Sequence, residues 1–186
     1  MINKKFIQKL KEEHAENNSE RRQIISKSNI VLHDSKRVIF SLHRGDQKKA
    51  EESLKQIEVI LKSLQEKFSF NRVSKEGAYK AAVEEYVEAK VFYLVINGQK
   101  IDKFKGLKIN FESYLGGICD LTGELVRRAT NKAAAGDIEE VAKIKEYINQ
   151  VMEELVEFDM AGYMRTKYDQ ARASLRKIEQ INYDIN

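Results

Sequence analysis

The sequence has no proline, no tryptophan, a single cysteine and nine glycines in 186 residues. Each scarcity excludes something. Without proline the chain lacks its usual helix breaker, so long uninterrupted helices are expected. A lone Cys119 supports neither an internal disulfide framework nor a multi-cysteine metal site. It has no base beside it and reads as a packing residue; one unpaired cysteine fits a reducing cytoplasm. No apolar run approaches the roughly 18 residues of a membrane span. The opening stretch MINKKFIQKLKEEHAENN lacks a signal-peptide core. Neither a glycine-rich phosphate loop nor an HExxH or GxSxG motif occurs. The three histidines, His14, His33 and His43, have no ligand spacing to one another and read as structural.

What is present is charge and helical period. Hydrophobic residues make up 42% and charged residues 33%, the balance of a soluble globular chain. The net charge of +4 permits a nucleic-acid partner without requiring one. Residues 3–27 read as a polar helix with sparse apolar points. Residues 30–44 either continue it or begin another, with Ser28, Asp34 and Ser35 as candidate caps. Gly45-Asp46 marks a helix end and a new start. Ala50, Leu54, Ile57, Leu61, Leu64 and Phe68 then recur at steps of three and four. After a loop, FNRVSKEG, a helix spans 77–97 with Val83, Val87, Val91 and Leu94 inward. The segment 98–109 is the least helical. Helix 111–135 ends at Gly136, and Asp137 caps the next, whose inward stripe reads Ile138, Val141, Lys145, Ile148, Val151 and Leu155. Gly162 interrupts before a last helix from about Met164 to Tyr183, with Tyr168, Ala171, Leu175 and Ile178 inward. No strand alternation is evident. The fold class expected is all-α, an antiparallel bundle of six to seven helices.

One helix is built against its own interest. YLGGICDLTGELVRRA, residues 114–129, contains Gly116, Gly117 and Gly123. Each interior glycine costs about 1 kcal/mol against alanine. Asp120 and Glu124 also set two like charges on one face. A second acidic pair, Glu85 and Glu88, lies in VEEYVEAK, with Glu84 as a neighbour that can substitute. Four carboxylates from two facing helices would form an all-oxygen site for Mg²⁺ or Mn²⁺ and relieve the repulsion. The glycines would let a neighbouring helix or a nucleic-acid strand come close. The plainer alternatives are solvation of Glu84, Glu85 and Glu88 beside Lys80 and Lys90, and pairing of Asp120 and Glu124 with Arg127 or Arg128. If the acids hold metal, Arg72, Lys75, Lys80, Arg127 and Arg128 are placed to hold flanking phosphates.

Four segments, in order along the chain, resemble one family. SYLGGICDLTGELVRRATNKAAAGDI is similar to the core of translin and of translin-associated factor X. HDSKRVIFSLHR, EEYVEA and LRKIEQINYDI are similar to that family's SKRxIFxLHR stretch, its acidic stretch in the factor X branch and its closing helix. The resemblance implies a single translin-like domain over residues 1–186. It also implies a barrel-shaped homo-oligomer, often an octamer, enclosing single-stranded RNA or DNA. The factor X branch implies a Mg²⁺-dependent endoribonuclease whose catalytic and metal-binding acids fall on Glu85, Glu88, Asp120 and Glu124. One of the four, Glu124 among them, would serve as general base. The alternative is a non-catalytic oligomer that binds single-stranded nucleic acid.

Overall fold

A computed structural model describes residues 2–185. Among them seven helices and no strand form an all-α antiparallel bundle. The helices are α1 (Lys4–His43), α2 (Gln47–Phe68), α3 (Phe70–Val73), α4 (Gly77–Ile96), α5 (Phe111–Ala134), α6 (Ile138–Leu155) and α7 (Gly162–Asp184). Side-chain caps start several of them. Asn3 accepts from Lys5 N and Phe6 N, Asp46 from Lys49 N, Asn110 from Ser113 N and Asp137 from Glu140 N. Each such cap is worth about 1 kcal/mol. Tight turns at Arg44-Gly45-Asp46 and Ala135-Gly136-Asp137 fold α2 back on α1 and α6 back on α5.

Residues 3–44 form one helix, not two. The 40 residues of α1 run unbroken because Ser28 and Ser35 point inward. They share the stripe Ile24, Ser28, Val31, Ser35, Val38 and Leu42, every member buried. A small polar residue on a core face looks like a cap in sequence; here it serves close packing. From Lys4 to Glu16, α1 stands clear of the bundle, leaving Phe6 58% and Leu10 41% exposed.

α4 is the central helix. It packs on α1 and α5, and Tyr86, Val87, Val91 and Phe92 are fully buried. α5 in turn touches α6 and α7. The expected loop FNRVSKEG contains the short α3, started by Ser69, which adopts φ 67° and caps Arg72 N. The α6 stripe is rotated from the expected one. Val141, Ile144, Ile148, Met152 and Leu155 are buried, while Ile138 is 46% exposed and Lys145 lies at the border. Segment 98–109 is irregular but anchored. Phe104 and Leu107 are buried, and Gln65 bonds both the N–H and the carbonyl of Lys108. Among the described residues no helix is long and apolar enough to cross a membrane.

Candidate active site

The glycines of α5 create the site. A Cβ at Gly117 would lie 2.7 Å from the Val87 side chain and 2.8 Å from the Glu88 backbone nitrogen. One at Gly116 would collide with the Glu84 carboxylate. Both glycines are buried, and at them the α5 backbone lies directly on α4. Gly123 differs: it is exposed, with open space where a side chain would go, so close approach of a helix explains only two of the three.

This contact brings both acidic pairs together. Asp120 and Glu124 each act electrostatically on Glu85 and on Glu88. Glu88 is 8% exposed, so it is not a solvated helix acid. Burial first, then the charges of Glu85, Asp120 and Glu124, push its carboxyl up to about 9. Burial raises Glu85 as well, with Lys36 opposing. Among the described residues, no side-chain hydrogen bond or ion pair engages the Glu85 or Glu88 carboxylate. Lys90, a sequence candidate for neutralising them, pairs with Glu58 at 2.9 Å.

Asp120 and Glu124 are engaged: Arg127 pairs with Glu124, as the plainer alternative expects, and the remaining partners come from α7 and α1. Lys167 of α7 places Nζ 2.5 Å from Asp120 Oδ2 and 2.9 Å from Glu84 Oε1. Tyr163, one turn earlier on α7, donates its hydroxyl to Glu84 Oε1 at 2.5 Å. Burial pushes Asp120 up, against the opposing pull of Lys167. His43, at the end of α1, sets Nε2 2.5 Å from Glu124 Oε2. The His43 side chain is 6% exposed, tilted against the Phe92 ring, and its Nδ1 has no partner. Nε2 therefore carries the proton that the carboxylate accepts. Arg127 lies 3.5 Å from the same Glu124 oxygen. Burial works to raise Glu124, but His43 and Arg127 outweigh it and hold the carboxyl below its ordinary value. Cys119 is buried, and burial with Asp120 beside it pushes the thiol up to about 12, which suits packing and not nucleophilic chemistry.

Four carboxylates offering only oxygen suit a hard divalent cation, and the unpartnered Glu85 and Glu88 fit that donor set. As they stand among the described residues, no three acidic, histidine or cysteine side chains converge on one coordination point. Lys167 stands between Asp120 and Glu84, and His43 holds Glu124. Convergence therefore requires side-chain rotation, with release of these cationic or donor partners.

The expected phosphate-holding cations divide. Lys75 and Lys80 are exposed, on the approach to α4 and in its first turn. Arg127 is 53% exposed at its side chain and remains on the site. Arg128 turns away to Glu140, at 3.0 Å. Arg72 does not fit the expectation. It bonds Glu20 at 2.9 Å and Glu76 at 2.8 Å, with its side chain only 16% exposed, and clamps α1 to α3 and α4. His43, Tyr163 and Lys167 were missed. The α7 pair carries no local signal, because it lies 47 or more residues from the acids it touches. His43 does carry one: it belongs to the quoted SLHR segment.

Comparison with known proteins places these features in context. The pattern of the translin family matches residues 19–186. Translin of Gallus gallus is 30% identical over 92 residues, which is 49% of this chain and 40% of that protein, so the chain aligns with well under two thirds of that relative's length. An uncharacterized protein of Methanocaldococcus jannaschii is 28% identical over 168 residues, covering 88% of this chain and 75% of its own. The translin-associated protein X homolog of Schizosaccharomyces pombe is 24% identical over 188 residues, covering 90% and 81%. Among solved structures, apo-NeC3PO superposes with a TM-score of 0.88 at 23% identity, covering 100% of this chain and 99% of that one. AfC3PO in a complex with duplex RNA superposes with a TM-score of 0.84 at 24% identity, covering 96% and 95%. These two likenesses establish the fold.

Proposed function

The chain belongs to the translin family, and from that premise we propose that it is a divalent-metal-dependent endoribonuclease, acting in the cytoplasm as a homo-oligomer of single translin-like domains, with the octamer as the expected size. One observation carries the reading: the α4–α5 contact gathers Glu85, Glu88, Asp120 and Glu124, and leaves Glu85 and Glu88 without partners. The likeness to a factor X homolog, and to a protein solved with duplex RNA, supports RNA as the ligand.

The four acids would hold Mg²⁺ or Mn²⁺. Such an ion supplies Lewis-acid stabilisation of the phosphate and eases deprotonation of water. Should Glu124 serve as general base and not as ligand, His43 and Arg127, which hold its carboxyl below its ordinary value, would keep it ionised, and His43 would fix its orientation. Arg127, Lys80 and Lys75 would bind the backbone phosphates on either side. Burial of Glu88 and of the α4–α5 seam keeps the donors in a low-dielectric setting, where their charges act more strongly.

The second reading is a non-catalytic oligomer that holds RNA or single-stranded DNA. It is favoured by the pairing of Asp120 with Lys167 and of Glu124 with His43. Labelled single-stranded and duplex RNA, and single-stranded DNA, incubated with Mg²⁺ or with EDTA, separate the two. Cleavage that needs both metal and Asp120, tested with Asp120→Asn, supports the nuclease. Binding without cleavage by the wild type supports the alternative.

A further inference from the structure

Lys167 occupies an unusual position. It reaches from α7 across to α4 and α5 and bonds an acid on each, Glu84 and Asp120. Its side chain is 15% exposed, and those of its two partners are 14% and 23% exposed. The Tyr163 ring lies 5.4 Å from the same Nζ, and its hydroxyl donates to the same Glu84 Oε1 that Lys167 holds. The ammonium also acts electrostatically on Glu85, alongside Lys36, and on Glu88; neither carboxylate has a side-chain hydrogen bond or ion pair among the described residues. So one flexible cation serves four acids, Glu84, Glu85, Glu88 and Asp120. A surface ion pair would not need placement at the centre of three helices. A lysine ammonium is a compact point charge on a mobile stem, able to withdraw without disturbing the backbone.

We propose that Lys167 is an internal counter-ion that competes with the divalent cation: it holds the acid cluster together in the metal-free protein, and yields Asp120 when metal enters. The inference rests on the metal reading above. Its consequence is that Lys167 sets the threshold concentration at which metal binds. A unit charge a few ångströms from the cation position, at an effective dielectric of about 20, opposes binding by a factor of about ten or more.

Mn²⁺ titration of metal-free protein, read by electron paramagnetic resonance of free Mn²⁺, tests this without any cleavage assay. Lys167→Met keeps most of the volume and removes the charge; it should bind Mn²⁺ at least tenfold more tightly than wild type. Lys167→Arg keeps the charge and should gain nothing. Should the Met variant not fold, the wild type itself answers. The Lys167 amine should be protected from acylation in EDTA and become reactive at saturating Mn²⁺, as read by peptide mass spectrometry. Equal Mn²⁺ affinity in wild type and Lys167→Met, lost in Asp120→Asn, would overturn the competition and leave the metal site standing. Unchanged amine protection at saturating Mn²⁺ would overturn it likewise. Absence of Mn²⁺ binding in every variant would bring down the metal reading and the competition together.

Discussion

Replacing Glu88 with glutamine removes an ionisable group while keeping its volume. In the folded chain the Glu88 carboxyl titrates at about 9, against an ordinary value of 4.5. Between those values the folded protein keeps a proton that the unfolded chain has released. Folding then takes up a proton, and stability falls as pH rises. The stabilising proton is fully present below pH 4.5 and is lost as pH passes through 9. Each pH unit in the window removes up to about 1.4 kcal/mol. From pH 5 to pH 8 the loss is on the order of a few kcal/mol, and a domain of this size moves about 2–4 °C in Tm per kcal/mol. Thermal melts in EDTA at several pH values, wild type beside Glu88→Gln, read this directly. The two should melt together near pH 5 and diverge toward pH 8, the glutamine variant staying higher by roughly 8–16 °C. Parallel curves across that range would refute the claim that Glu88 is buried among like charges. Mg²⁺ at pH 8 should raise the wild type and leave the variant nearly unmoved.

Other substitutions test separate parts of the structure. Gly117→Ala should destabilise by about 2 kcal/mol or more, because the added carbon strikes Val87 and the α4 backbone. Gly123→Ala meets open space and should stabilise by roughly 0.5–1 kcal/mol; denaturant midpoints compare the two. Arg72→Ala should lower stability by about 2 kcal/mol by leaving Glu20 unpaired and Glu76 with Arg21 alone, yet leave RNA affinity unchanged. Arg127→Ala should do the reverse, reducing the slope of log K against log salt by about one, with little change in Tm. His43→Gln should free Glu124 to rise toward its ordinary value or above, seen as an upward shift in the acid limb of any pH–activity profile.

Helix positions were legible because period and caps are local. Asp46 and Asp137 each cap as their residue type dictates, and the α2 stripe is buried from Ala50 to Leu64, with Phe68 partly buried at its end. The acid pairs were legible for a similar reason, since Glu85–Glu88 and Asp120–Glu124 share faces by helical geometry alone. What no local pattern carries is the identity of a partner from elsewhere in the chain. Lys167 and Tyr163 meet the acids only because α7 lies on α5. The same limit explains Arg72, whose charge looked available until α1 supplied Glu20. Ser28 and Ser35 misled in another way: a small polar residue has one appearance in sequence and two uses, capping a terminus or narrowing a core.

The glycines of α5 carry a further consequence, for the order of assembly. A helix with three interior glycines holds itself poorly in isolation. Its order is borrowed from α4, against which two of those glycines lie. The acids of α4 and α5 come into register only once that docking has occurred. A form of the chain without that docking keeps each acid pair on its own helix but not the four-carboxylate cluster. Any change that loosens the seam at Gly117 should disperse the carboxylates before the rest of the bundle gives way.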